Sequence, residues 1–436
     1  MSRFDREILG LALPALGALA ADPLVSIVDT MFVGRLGVTP LAALGVNTGI
    51  FSLAFVVFNF LAYGTTPRVA RAVGEGDRET AGRRAVQALT LGAVAGLLTI
   101  AALELAAPLI VAVMGATGEL VGPALSYLRI RALAGPAVLL IMAGHGIFRG
   151  YQDTRTPLAV TLGLNVVNLV LDPILIFGLG WGLEGAAWAT VVAQWTGAIW
   201  FLRLLLGSRR EELGIRLALP GLRELLPFLR ISGELTVRTF ALLGTLTLAT
   251  AVATRVGTLQ VAAHQVASQL WILLALIVDA LAVAGQAMVA KYRGADDPLS
   301  ARAASNRLLT WGLGVGIGLS LLFLLLRPWL PRFFTDDAAV LATIDGIMPF
   351  VIWMQPLNAL VFVWDGVFLG AERFRFLALQ MAISGAAAAT VLLMVIPSGW
   401  GLKGVWWGIV TLMAVRFITL GVSYWRAGRG TATRSL

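Results

Sequence analysis

The sequence predicts an all-α polytopic membrane protein, with twelve transmembrane helices in two six-helix lobes related by a pseudo-two-fold axis along the membrane normal. Three observations carry that expectation. Of the 436 residues, 58% are hydrophobic and 13% charged, against roughly 25% charged in soluble domains. Apolar runs reach 20 or more residues, each enough to cross about 30 Å of hydrocarbon as a helix. The third observation is a repeat: GRLGVTPLAALGV (Gly34 to Val46) returns as TRVGTLQVAAHQV (Thr254 to Val266) at an offset of 220 residues.

Taken in order, apolar runs between breakers place the spans near 8–33, 44–66, 86–114, 126–148, 157–179, 185–206, 225–253, 261–290, 308–330, 340–369, 375–396 and 402–425. The offset of 220 also pairs VARAVGEGD (Val69 to Asp77) with VAKYRGADD (Val289 to Asp297). It pairs Pro136, Gly146, Phe148 and Gly150 with Pro356, Gly366, Phe368 and Gly370. WGLEGAAW (Trp181 to Trp188) returns as WGLKGVWW (Trp400 to Trp407) at 219, so one residue is lost between. Each half holds six spans. An even number brings both halves into the membrane from the same side, as parallel repeats. The expected division is an N-terminal lobe 1–207, a charged linker 208–227 and a C-terminal lobe 228–436.

Basic residues set the expected orientation. With the N-terminus inside, inner segments collect 24 of the 33 Lys and Arg and outer segments seven (Arg35, Arg129, Arg131, Arg255, Arg327, Arg332 and Lys403). Both termini are therefore expected in the cytoplasm of a multi-pass cell-membrane protein. The net charge of +9 is a topology signal, so no nucleic-acid partner is expected. The first apolar stretch is too long and too polar at its centre for a cleaved signal, and is expected to remain as the first span. There is no cysteine, hence no disulfide, thiol nucleophile or thiolate metal site. His145 and His264 are the only histidines, too few for a histidine cage.

Polar residues inside the spans are the functional candidates, because a lipid-facing carboxylate costs roughly 2.5–3.5 kcal/mol. Asp172 has Asn168 one turn before it and Asn165 three residues further back, all on one helical face. Asp22 and Asp29 lie two turns apart on the first span, which Pro14 and Pro23 interrupt; a proline frees a carbonyl and permits a bend. Asp29 is either a protonatable or sodium-binding group or a carboxylate that meets outer water. Asp365, in VWDGVFLG, either works in the cavity or reaches inner water. Glu234 and Arg238 have the spacing of a helix ion pair. Glu104, Asp279 and Arg416 suit packing or snorkelling roles. His145, flanked by glycines, is expected to be neutral and bonded to a backbone carbonyl, with a proton relay as the alternative. His264 is expected in an outer connector.

Together VDTMFVGRLG (Val28 to Gly37), FRGYQDTRTPL (Phe148 to Leu158), NVVNLVLDPILIFGLGWGLEGAA (Asn165 to Ala187) and VAAHQV resemble the multidrug and toxic compound extrusion (MATE) transporters over essentially the whole chain. WDGVFLGAERF (Trp364 to Phe374) is similar to the second-half signature of the DNA-damage-inducible protein F branch. The resemblance implies export of amphipathic, often cationic compounds against an inward proton or sodium flow. The family's first-helix carboxylate matches Asp29, and its fifth-helix Asn and Asp match Asn168 and Asp172. The proline proposed to bend its first helix matches Pro14, and Thr190 and Gln194 follow its polar lining. Members that place sodium in the second lobe use a seventh-helix glutamate and a tenth-helix aspartate; Leu242 and Asn358 stand there in this chain. His145 falls where some relatives carry Asn.

The expected mechanism is alternating access of two lobes, with Asp29, Asp172 and Asn168 forming a first-lobe site for a proton or sodium ion. Two adjacent carboxylates in low dielectric cannot both ionise cheaply. Asp22, Asn165, His145, Thr190, Gln194, Asp365 and Asn358 are candidates for the substrate cavity. No cofactor is expected beyond the coupling ion, nor any partner beyond small molecules and lipid, and the protein is expected to act as a monomer. A flippase of lipid or lipid-linked sugar is the alternative that an arginine-lined cavity would favour. A membrane-embedded enzyme would need a nucleophile–base set or metal cluster that the sequence does not offer.

Overall fold

The computed structural model describes residues 2–429 apart from Leu217 and Leu219. Those two linker positions, and the tail with Arg434, lie outside the described residues. Two compact units form: Leu13–Ser232, and Gly233–Leu436 together with Met1–Ala12. The chain runs α1 (Arg3–Gly34), α2 (Val38–Val56), α3 (Phe60–Gly74), α4 (Arg78–Val113), α5 (Val121–Ala132), α6 (Gly135–Gly150), α7 (Arg155–Pro173) and α8 (Gly182–Arg203). It continues as α9 (Leu222–Val256), α10 (Thr258–Gly294), α11 (Pro298–Leu326), α12 (Ala338–Trp353), α13 (Gln355–Gly370), α14 (Phe374–Met394) and α15 (Gly401–Arg429). Among the described residues ten helices are long and apolar enough to cross a membrane, α2 and α3 counting as one. Two further spans are pairs bent by 48°, α5 with α6 and α12 with α13. In each pair a proline opens the second helix, Pro136 and Pro356, where its missing N–H costs nothing.

The repeat is visible in the backbone. Non-glycine residues adopt positive φ at Gln152 (64°) and Glu372 (57°), and the turn before α4 and α11 uses Gly76 (74°) and Asp296 (51°). All four sit at the sequence offset. The next residues, Asp77 and Asp297, cap those helices by accepting the amides of Thr80 and Ser300, each at 2.9 Å. Both carboxyls are held below the ordinary 3.8, chiefly by the Thr80 and Ser300 hydroxyls. The basic segments after the second and eighth spans are thus helix starts.

Lipid supplies no hydrophobic drive between helices, so close packing of small residues must hold them. A Cβ on Gly146 of α6 would lie 2.9 Å from the Ala62 carbonyl oxygen of α3. Its repeat partner Gly366 would place one 2.3 Å from the Ala282 carbonyl of α10. The same contact is built twice, and only glycine fits it.

Three sequence expectations change. Pro14 and Pro23 lie inside a helix that stays continuous from Arg3 to Gly34. VAAHQV is the start of α10, and His264 is buried there beside the Thr250 hydroxyl (3.3 Å) and the Trp406 ring (5.9 Å). Arg416 does not snorkel: it is 1% exposed and bonds Asp365. Within the second unit, Asp5 of α1 accepts from Arg307 (2.5 Å) and Trp311 (2.9 Å), and Glu7 from Lys291 (2.9 Å) and Tyr292 (2.6 Å).

Candidate functional site

Asp172 occupies the last turn of α7 because the helix changes there. Pro173 follows, unable to donate to Leu169, and a wide π turn spans Ile174–Gly178. Such turns are frequent at functional sites. The Asp172 side chain is directed inward, 1% exposed, toward α1. Its carboxyl group lies within hydrogen-bonding reach of the Asp29 carboxyl. Two carboxylates have no proton to offer each other. Accordingly, among the described residues no donor reaches Asp172 Oδ1, Asp172 Oδ2 or Asp29 Oδ1, all buried. Acceptors so placed call for a proton or a small cation. Asn168 is buried on the same face, but its amide nitrogen donates to no group among the described residues. Asn168 and Asp172 share the expected face without a bond between them.

Two residues the sequence did not single out complete the cluster. Tyr127 and Arg131 stand one turn apart on α5, just before the bend. Tyr127 and Asp29 both act electrostatically on the Arg131 guanidinium. Its guanidinium carbon sits 5.3 Å from the centre of the Phe51 ring of α2. Tyr127 also reaches Thr190 of α8. The Thr190 hydroxyl donates to the Ala186 carbonyl (2.9 Å). Arg131 had been counted with the outer basic residues, because a single arginine beside Arg129 looks like a topology charge. Arg129 does behave as a surface residue, 3.6 Å from Glu104.

The other candidates separate into groups. Asp22 accepts from Asn165 Nδ2 at 3.0 Å, joining α1 to α7 two turns from the carboxylate pair. Gln194 is half-buried on α8, one turn beyond Thr190. His145 Nε2 meets the Thr161 hydroxyl at 3.2 Å, in place of the expected backbone carbonyl, and its ring packs edge-on to Phe201 at 5.5 Å. In the second unit Asp365 does not reach water: it is buried, and its Oδ2 takes Arg238 at 2.8 Å and also Arg416. Spacing on a single helix could not reveal this cross-helix partner of Arg238. Asn358 is buried two turns away on α13, its Oδ1 without a donor among the described residues.

The duplication supplies an internal control. At the repeat offset Asp29, Tyr127, Arg131, Asn168 and Asp172 become Ala249, Ile347, Val351, Ala388 and Leu392, and Thr190 becomes Ile409. All six replacements are buried and apolar. The fold therefore forms without the polar cluster, so its presence in the first unit is not a packing requirement.

A duplicated bundle of membrane helices with a donorless carboxylate pair in one half has the architecture of a secondary transporter. Family comparison makes this specific. The chain matches the MatE family over residues 14–174 and 236–395, and it belongs to that family of multidrug and toxic compound extrusion transporters. It is an ion-coupled, multi-pass membrane carrier of small molecules and not an enzyme. Protein DETOXIFICATION 44, chloroplastic, of Arabidopsis thaliana is 36% identical over 444 residues, spanning 99% of this chain and 84% of its own. DNA damage-inducible protein F of Escherichia coli (strain K12) is 28% identical over 448 residues, spanning 97% and 93%. The fold is similar to a solved outward-facing conformation of a multidrug resistance MATE transporter of the MOP superfamily, with TM-score 0.87 at 21% identity, covering 99% of this chain and 98% of that one.

Proposed function

We propose that this protein is a proton-driven antiporter that exports amphipathic cationic compounds, working as a monomer in the cell membrane with both termini cytoplasmic. Coupling resides in the Asp29–Asp172 pair. The observation that carries the reading is the pair of facing, donorless carboxylates in one half, set against alanine and leucine at the same places in the other. With both acids ionised the pocket attracts a cation. An incoming proton bonds to one carboxylate oxygen and is held against the other, which removes charge and weakens the hold on a cationic substrate. Each proton entering down 100 mV contributes about 2.3 kcal/mol. Helix α1, which carries Asp29 and holds Pro14 and Pro23, is the element that responds. Gln194, Thr190, Asn165 and Asp22 supply the few polar anchors of an otherwise apolar cavity, which suits varied substrates.

The test is dye efflux and proton uptake in proteoliposomes, with pH and sodium varied independently, for wild type, Asp29→Asn and Asp172→Asn. Loss of coupled transport in both variants, with dye still bound, is expected. Undiminished proton-coupled efflux in both overturns the proposal, and efflux driven by a sodium gradient alone assigns the site to sodium.

A further inference from the structure

We propose that the polar face of α7 is the route by which protons leave the carboxylate pair, and that His145 receives them at its far end. The inference rests on the proton reading of Asp29 and Asp172 and adds the path that such a proton needs. A carboxylate inside an apolar span does not shed its proton straight into bulk water. Membrane carriers bridge that distance with chains of polar and ionisable side chains.

The first unit holds such a chain. Thr161, Asn165, Asn168 and Asp172 are all buried, at intervals of four, three and four residues, which keeps them within about 60° of one another around the helix. Successive members rise by about 4.5–6 Å, the span that one hydrogen-bonded water bridges. Two rungs reach neighbouring helices: Asn165 Nδ2 donates to Asp22 Oδ1 at 3.0 Å, and the Thr161 hydroxyl meets His145 Nε2 at 3.2 Å. Between the Asn165 rung and the carboxylate pair, the Asn168 amide nitrogen is buried with no acceptor among the described residues, a donor suited to a bridging water. His145 stands five residues before the end of α6 at Gly150, about 7.5 Å along the axis, on the cytoplasmic side in the proposed orientation. It is half-buried, whereas Thr161 is 1% exposed. Around its ring lie Phe201 of α8 at 5.5 Å and Arg149, one turn on along α6, whose charge acts on it. A Cβ on the neighbouring Gly146 would meet Thr65 of α3 at 2.9 Å.

The repeat again serves as a control. At the offset the four α7 residues become Met381, Gly385, Ala388 and Leu392 of α14, all buried, and Asp22 becomes Leu242. The packing of this helix does not call for a polar face, and the polar face accompanies the carboxylates. A proton released by the pair passes along the face to Thr161. Thr161 Oγ1 accepts it and gives its own hydroxyl proton to His145 Nε2, and the imidazolium loses the proton on Nδ1 toward the α6–α7 turn. Histidine can take a proton on one ring nitrogen and release one from the other.

The experiment compares full-length wild type, His145→Ala and Thr161→Val in proteoliposomes by two rates. One is dye efflux driven by a proton gradient; the other is exchange of dye for dye with no gradient, which needs alternating access but no net proton release. Both variants are expected to slow proton-driven efflux by about tenfold or more and to exchange dye at the wild-type rate. The final dye gradient is expected to equal that of wild type, since a route sets the rate and not the driving force. Proton-driven efflux at the wild-type rate in either variant overturns the inference, so a variant that fails to fold leaves the other to decide. Equal slowing of efflux and exchange also overturns it, because that marks a packing role. Neither result touches the carboxylate reading, which fails on undiminished coupling in Asp29→Asn and Asp172→Asn.

Discussion

Asp365 shows how differently one carboxylate behaves from another at the scale of a residue. Asp29 and Asp172 face each other without donors, whereas Asp365 takes two arginines on Oδ2 and leaves Oδ1 without a donor among the described residues. At the repeat offset it corresponds to His145, which meets only a threonine hydroxyl. The Asp365 cluster reads as structural, because a buried ion pair resists loss of one member far more than it adds stability. Asp365→Asn is therefore expected to destabilise the protein by about 3–5 kcal/mol, because Arg416 would keep its charge at 1% exposure. Thermal unfolding in detergent measures this. Asp172→Asn, by contrast, removes an unsatisfied acceptor and is expected to unfold no earlier than wild type while losing coupling.

At the scale of the element, small residues decide which helices approach and prolines decide which can move. The α6–α3 and α13–α10 contacts depend on glycines whose Cβ would strike backbone oxygen. Overpacking of this kind costs about 1–3 kcal/mol. Gly366→Ala is expected to lower the unfolding temperature more than Gly146→Ala, since the approach is 2.3 Å against 2.9 Å. Helix α1 holds both prolines without breaking. Asp29 rides on it, while Asp172, Tyr127 and Thr190 belong to helices that pack closely. A change in the protonation of Asp29 is thus felt first by the helix that holds Pro14 and Pro23.

For the whole molecule, the duplication sets the polar cluster of one half against apolar residues at the same positions of the other. The buried replacements Ala249, Val351 and Leu392 fill the volume that the polar cluster occupies in the first unit. The proposed orientation is testable because the chain contains no cysteine. Ser2→Cys and Ala427→Cys, each the sole thiol, are expected to react with an impermeant maleimide in inside-out vesicles and not in intact cells. Labelling of either in intact cells would place that terminus outside and reverse the assigned direction of proton flow.

The linear sequence determined the class, the repeat and the residues too costly to leave in lipid. It could do so because hydropathy, spacing and offset are properties of the chain itself. Asp29, Asp172 and Asn165 were recoverable on those grounds, since a charge or amide in an apolar run stands out wherever it folds. Arg131 and Tyr127 were not, because an arginine near the end of a span reads as a topology charge until a partner is seen. The partners of Asp22, Arg238 and Arg416 were equally out of reach, lying 143, 127 and 51 residues away. Only the tertiary structure decided which charges meet, because electrostatic pairing depends on distance through space and not along the chain.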